Sequence, residues 1–172
     1  MKNKITIGYL GSLTKVKGFF RLIDFIYDFN SIDFYFKFAG KGDLSSIKNK
    51  LSENILYEGI LKQDEVNNFI DSCDMFILLS ECEHFSLAIL EILARGKIVV
   101  VNDIPVMHEI ITNKKNGIMI SEIEELDEII IDVANGKYNH IKENAYITAH
   151  KFDFECTKKR TIELYENILR SN

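Results

Sequence analysis

The sequence lacks most of the features that would send a chain to an unusual environment. Its three cysteines, Cys73, Cys82 and Cys156, are odd in number and widely spaced, which excludes a disulfide framework and fits a reducing cytosol. No apolar stretch approaches the about 18 residues that span a bilayer. No secretory leader is expected either, since Met1-Lys-Asn-Lys4 runs straight into a strand-like segment. With one proline there is no Pro-rich linker, and no internal repeat or low-complexity tract divides the 172 residues, so one domain is expected. A basic excess is missing as well. The net charge of −5 argues against nucleic acid, which needs a positive stripe. Lys114-Lys115 and Lys158-Lys159-Arg160 read as solvated faces, the alternative being a weak role at a membrane surface.

What the chain does have is ordinary for a globular protein: 47% apolar and 27% charged residues, and enough length to bury a core. Strand-like and helix-like segments alternate. Strands are expected at 5–10, 34–39, 55–58, 75–79, 98–101 and 118–120. Helical patterns occupy 18–28, 43–51, 64–72, 86–94, 105–111, 123–134, 141–151 and 154–169. The acidic run Glu122 to Glu128 fits the solvent face of a helix. Such alternation makes βαβ units, so the expected fold class is α/β. About six parallel strands carry helices on both faces, with a helical C-terminal tail, in a Rossmann-like arrangement.

Residues 80–96 place a carboxylate where patterning alone would put an aliphatic side chain. From Leu87 to Ala94 every residue is apolar except Glu91, which predicts a buried helix carrying a costly charge. The run Met75–Leu79 before it reads as a buried strand, and Ser86 or a neighbour as the helix cap. Ligands of open parallel sheets bind beyond strand carboxyl ends, at helix N-termini. Glu91 lies five residues into the helix, roughly 7 Å along its axis. A diphosphate on the first amides would have its ribose at about that distance. The structural alternative is pairing of Glu91 with Arg95, one turn on.

Two further loops leave strand ends. Gly11-Ser-Leu-Thr-Lys15-Val-Lys17-Gly18 offers backbone amides and a cation to an anion, without being a Walker A loop. Gly40-Lys41-Gly42 begins a GxGxxG pattern, but Ser45 stands at the third glycine, so a tight turn is the better reading than a dinucleotide fingerprint. Cys82-Glu-His84 has no further ligand cluster beside it, which makes zinc or thiol chemistry the weaker alternative to a small residue in a tight loop.

Taken in order, these pieces resemble the C-terminal, donor-binding half of retaining group-1 glycosyltransferases of the GT-B fold. The resemblance rests on Gly11-Ser-Leu13…Lys17-Gly18, Gly40-Lys-Gly42, Gly59-Ile-Leu61, and above all on two glutamates separated by seven residues in Glu83-His-Phe-Ser-Leu-Ala-Ile-Leu-Glu91. Pro105…His108-Glu109-Ile-Ile111 and Phe152-Asp-Phe-Glu155…Tyr165-Glu-Asn-Ile-Leu169 complete it, with Phe154 where tryptophan is usual.

The resemblance implies transfer of a sugar from a nucleoside-diphosphate sugar to a glycan, lipid or other acceptor. No cofactor or obligatory metal is implied. Glu83 and Lys17 are the expected catalytic groups, Glu83 approaching the donor sugar and Lys17 neutralising the diphosphate. Amides at Ser86 and Leu87 would hold the distal phosphate, Glu91 the ribose, and backbone near Ile60 and Leu61 the base. Gly11, Ser12, Gly40, His84 and Phe85 complete the expected donor site.

Ser12 replaces a usual arginine, which leaves Lys17 as the main cation, with Lys15 or Lys41 as expected helpers. His84 replaces a usual glycine, and Ser86 a second one. Residues 1–172 would form a single nucleotide-sugar-binding domain, with the N-terminal acceptor domain supplied elsewhere as the rest of the chain or as a separate subunit. Alone, the domain is expected to transfer sugar poorly or not at all. The complete enzyme would be cytoplasmic, at the inner face of the membrane if it associates there. The alternative is a non-catalytic module of the same fold that has lost donor affinity, for which Ser12 is the best support; an epimerase or phosphorylase relative is a further one.

Overall fold

The computed structural model describes residues 4–170, so Met1–Asn3 of the opening segment lies outside the described residues. Six strands, β1 (Ile5–Leu10), β2 (Phe34–Ala39), β3 (Ile55–Tyr57), β4 (Met75–Leu78), β5 (Ile98–Asn102) and β6 (Ile118–Ile120), form one sheet in the order β3-β2-β1-β4-β5-β6. All pairings are parallel. Parallel strands are covered on both faces, which is why β4 reads as an unbroken apolar run and all of it is buried. The chain reverses its direction of winding between β1 and β4. In a doubly wound sheet, that switch point opens a crevice beyond the strand carboxyl ends.

The helices are α1 (Phe19–Asp28), α2 (Gln63–Asp71), α3 (Leu87–Ala94), α4 (Glu125–Ala134), α5 (Ile141–His150) and α6 (Phe154–Arg170). Helical spacing explains the packing of α1, whose Phe19, Leu22, Ile23 and Ile26 form one buried stripe. Leu126, Ile129, Ile130 and Val133 do the same for α4. Each such side chain contributes about 1.5–3 kcal/mol of burial. Phe19 lies 5.0 Å from both Tyr9 and Phe38, ring to ring, and so joins α1 to the two strands that carry the first loops.

Three expectations are corrected. Residues 43–51 and 105–111 form short 3-10 segments, Ser45–Lys50 and Pro105–Glu109, in place of helices. At the first, Asp43 accepts from both the amide and the hydroxyl of Ser45, a local turn that competes with helical bonding. Only Ile47 of that segment is buried, too little to define a helical face. Third, α3 is buried on one side only. Ile89, Ile92 and Leu93 face the core, whereas Leu87 is 68% exposed and Glu91 half-buried. The tail helix α6 forms as expected but has no buried residue, leaving Phe154, Leu164, Tyr165 and Leu169 exposed.

Candidate functional site

Four loops meet above the carboxyl edge of the sheet, laced together by backbone bonds. The β1–α1 loop takes its support from the turn after β2, through Gly11 N–H to Ala39 O (3.0 Å) and Leu13 N–H to Lys41 O (2.9 Å). That turn is tied in the same way to the β3–α2 segment, where Gly40 N–H donates to Gly59 O at 2.9 Å. Gly40 has φ +146°, and a Cβ on it would overlap the Gly11 carbonyl. The first two loops can pass this closely only because no side chain stands between them. The turn reading of Gly40-Lys41-Gly42 therefore holds.

Gly18 makes the next junction. It has φ +70°, and a Cβ there would overlap the Leu79 carbonyl at the end of β4. With Glu81 N–H donating to Val16 O at 2.8 Å, this presses the β1–α1 loop against the β4–α3 loop. Lys17 and Glu83 are thereby brought together. Lys17 Nζ donates to Glu83 Oε1 at 2.7 Å, with side chains 35% and 9% exposed. Ser80 Oγ donates to the same oxygen at 2.9 Å.

Glu83 is thus held in one place by two donors. The loop behind it is anchored by Asn102, whose Nδ2 donates to Leu79 O (3.0 Å) and Ser80 O (3.1 Å). Asn102 is itself oriented by Arg21 at 2.9 Å. Under the β1–α1 loop, the buried Tyr9 hydroxyl donates to Ser12 O at 2.7 Å. Burial, and then the negative charge of Glu83, hold that phenol well above its usual range.

Ser86 stands at the N-cap position of α3 but, among the described residues, no side chain caps that end. As at any helix start, the amides of the first turn have no intrahelical partner. Ser86 thus takes the cap position expected for it or a neighbour, its carbonyl accepting from Leu90 N–H at 3.3 Å, but its buried side chain makes no capping bond. His84 and Phe85 are exposed beside it, and the Phe85 ring rests 5.9 Å from that of Phe152 at the start of the tail.

Glu91 does not pair with Arg95. The guanidinium turns instead to Asp71 at the end of α2, and its hydrogen bonds lower that carboxyl. Glu91 faces Gln63 at the start of α2, with Gln63 Nε2 at 3.5 Å from Oε1. This brings it toward the segment holding Ile60 (66% exposed) and the partly buried Leu61.

Lys41 is exposed on the turn after β2. Lys15 lines a separate cavity of about 570 Å³ with Phe20, Arg21 and Glu81, whose lining includes neither Lys17 nor Glu83. Among the described residues, no group of three or more histidine, cysteine, aspartate or glutamate side chains is placed to hold a metal ion. Nor is any helix long and apolar enough to cross a membrane.

The sequence model of the family described as "Glycosyl transferases group 1" matches residues 1–148. This chain belongs to the group 1 glycosyl transferases. A glycosyltransferase of Methanocaldococcus jannaschii, MJ1178, is 29% identical over 170 residues, covering 93% of this chain and 47% of that protein. The chain thus spans about half the length of that curated relative.

Among solved structures, that of Anabaena Alr3699/HepE in complex with UDP-glucose superposes with a TM-score of 0.82 at 21% identity, over 96% of this chain and 49% of the other. The C-terminal domain of a group 1 family glycosyl transferase (LpcC) from Francisella tularensis gives 0.73 at 20% identity, over 87% of each. At these identities the two structures speak for the fold. It is that of a C-terminal GT-B domain, as the order of motifs implied.

Sequence reasoning about this glycosyl transferase domain missed Ser80, Asn102, Gln63 and Tyr9. Gln63 and Asn102 reach a motif residue or its loop from distant parts of the chain, whereas Ser80 and Tyr9 each bond a residue three positions on. The one local signal was the placement of Ser80 at the end of a buried strand, three residues before Glu83.

Proposed function

We propose that residues 1–172 form a single donor-binding domain of a retaining glycosyltransferase, which transfers a sugar from a nucleoside-diphosphate sugar. The observation that carries this reading is the convergence, at the switch point of the sheet, of Lys17, Glu83 and the uncapped amides of α3, with Glu91 farther along the same helix. In this reading Lys17 and the amides at Ser86–Leu87 take the charge of the leaving diphosphate, while the sugar gains oxocarbenium character. Such preorganised stabilisation needs no obligatory metal. Glu83 addresses the donor sugar, Glu91 the ribose hydroxyls, and the backbone at Ile60 and Leu61 the base. Gly11, Ser12 and Gly40 shape the phosphate side, and His84 and Phe85 the sugar side.

The acceptor site and half of the catalytic cleft belong to an N-terminal domain, joined to this one or supplied as a separate subunit. The isolated domain therefore binds donor but transfers sugar poorly. The complete enzyme is a cytoplasmic hexosyltransferase of polysaccharide or glycolipid biosynthesis, working at the inner face of the membrane where its acceptor is a lipid. Nucleic acid is not a partner.

Calorimetric titration of the domain with UDP, GDP and ADP at low salt tests the donor reading. UDP is the first choice because HepE was captured with UDP-glucose. Saturable binding with preference for one base supports it. Absence of binding by all three, in both the isolated domain and the longer protein, overturns it in favour of a module that has lost its donor.

A further inference from the structure

Lys17 and Glu83 are assigned above to different parts of a donor, yet the structure pairs them with each other. We propose that Glu83 competes with diphosphate for Lys17, so that the site disfavours a bare nucleoside diphosphate and favours one that still carries its sugar. This rests on the donor-binding reading.

The argument is one of partner exchange. A diphosphate that draws the Lys17 ammonium onto itself opens the 2.7 Å pair. Glu83 then keeps a single donor, Ser80 Oγ at 2.9 Å, while its side chain is 9% exposed. A carboxylate so shielded is costly without compensation, and here it also faces incoming negative charge.

Neighbouring groups do not fill the gap. Tyr9 gives its hydroxyl proton to Ser12 O, Arg21 is engaged with Asn102, and Lys15 lines the separate cavity beside α1. A nucleoside diphosphate brings mostly acceptors to this position. A sugar brings hydroxyl donors that replace the ammonium at Glu83. Loss of the sugar on transfer removes those donors, Glu83 reclaims Lys17, and the product is expelled. Glu83 is in this sense a specificity-determining residue, acting through the availability of Lys17.

The test is calorimetric titration with UDP, UDP-glucose and inorganic pyrophosphate of four proteins: wild type, Glu83→Gln, Lys17→Met and the double variant. Pyrophosphate reads the competition whichever base the site prefers, and thermal melts establish that each variant is folded. Glu83→Gln, nearly the same shape, should bind UDP or pyrophosphate about three- to thirtyfold tighter, the range expected for releasing a partly exposed ion pair. Its preference for UDP-glucose over UDP should fall. On the Lys17→Met background, Glu83→Gln should bring no gain. Unchanged or weaker UDP and pyrophosphate binding by Glu83→Gln overturns the proposal. A gain that persists without Lys17 also does so, because it reports simple repulsion between carboxylate and phosphate. If none of the four proteins binds any of the three probes, Lys17 does not take up a diphosphate here and the proposal fails, while the donor-binding reading is judged by its own titration with GDP and ADP. If the wild type binds and Glu83→Gln binds no tighter, only the proposal fails.

Discussion

In the loop after β4, Glu83 is held by Lys17 and Ser80 with its side chain 9% exposed. Eight residues on, in the body of α3, Glu91 is half-buried with a single contact of 3.5 Å from Gln63. The first carboxylate is placed by the docking of two loops and the second by the rise of a helix. One end of the candidate site is therefore fixed by its partners, and the other is loosely held. A group fixed by partners must give them up to act, whereas a loosely held one binds with little to lose.

This contrast can be broken most severely at Gly18. Gly18→Ala forces a Cβ against the Leu79 carbonyl in a backbone conformation that suits glycine, so the two loops cannot stay docked. The expected cost is about 2–4 kcal/mol in a urea unfolding curve, with loss of nucleotide binding. Stability within experimental error of the wild type would mean that the loops are not held this way.

Lys17→Ala comes next. It should weaken nucleoside diphosphate about ten- to hundredfold, the range for a charged hydrogen bond, while leaving affinity for the bare nucleoside nearly unchanged. Equal losses for the two ligands would point to packing rather than charge.

Glu91→Gln is smaller again. A loss of about three- to thirtyfold is expected for any ribose-bearing nucleoside diphosphate, with no change for pyrophosphate. Unchanged nucleotide affinity would remove Glu91 from the site.

The smallest effect belongs to the back of the same helix. Arg95 holds the carboxyl of Asp71 below its ordinary value, chiefly through its hydrogen bonds. A carboxylate with a lowered folded value stabilises above its unfolded value, near pH 4, and that contribution fades as pH falls through the folded one. Arg95→Met should therefore lower the melting temperature slightly at pH 7, converge with the wild type below about pH 3, and leave nucleotide binding intact. A loss of binding would tie Arg95 to the site after all.

Much of this architecture was legible from residues alone, for a physical reason. Buried parallel strands such as Met75–Leu78 must be apolar throughout, and amphipathic helices such as Phe19–Asp28 must repeat their apolar residues at helical spacing. Gly18 and Gly40 were readable because close backbone passage excludes a side chain there. Pairings across the fold were not. Glu91 looked like a partner for Arg95 because both sit one turn apart, but tertiary packing sets Asp71 of α2 beside the arginine. The solvent-facing side of α3 was hidden too, since an apolar stretch does not say that Leu87 will stand at an open sheet edge. Asn102 acts on a loop distant in sequence, which no local pattern announces.

The strand order also bears on how the chain reaches this state. β1 pairs with β2 through a short crossover, but its other edge meets β4 only when Ile7 finds Met75. Until then the hydrophobic central strand presents an open hydrogen-bonding edge, the kind of surface on which partly folded chains recruit one another. Closure over so long a loop is slow relative to local helix formation. Refolding yield should therefore fall with protein concentration, and substitutions in β4 that delay pairing should aggravate aggregation more than equally destabilising ones in α4.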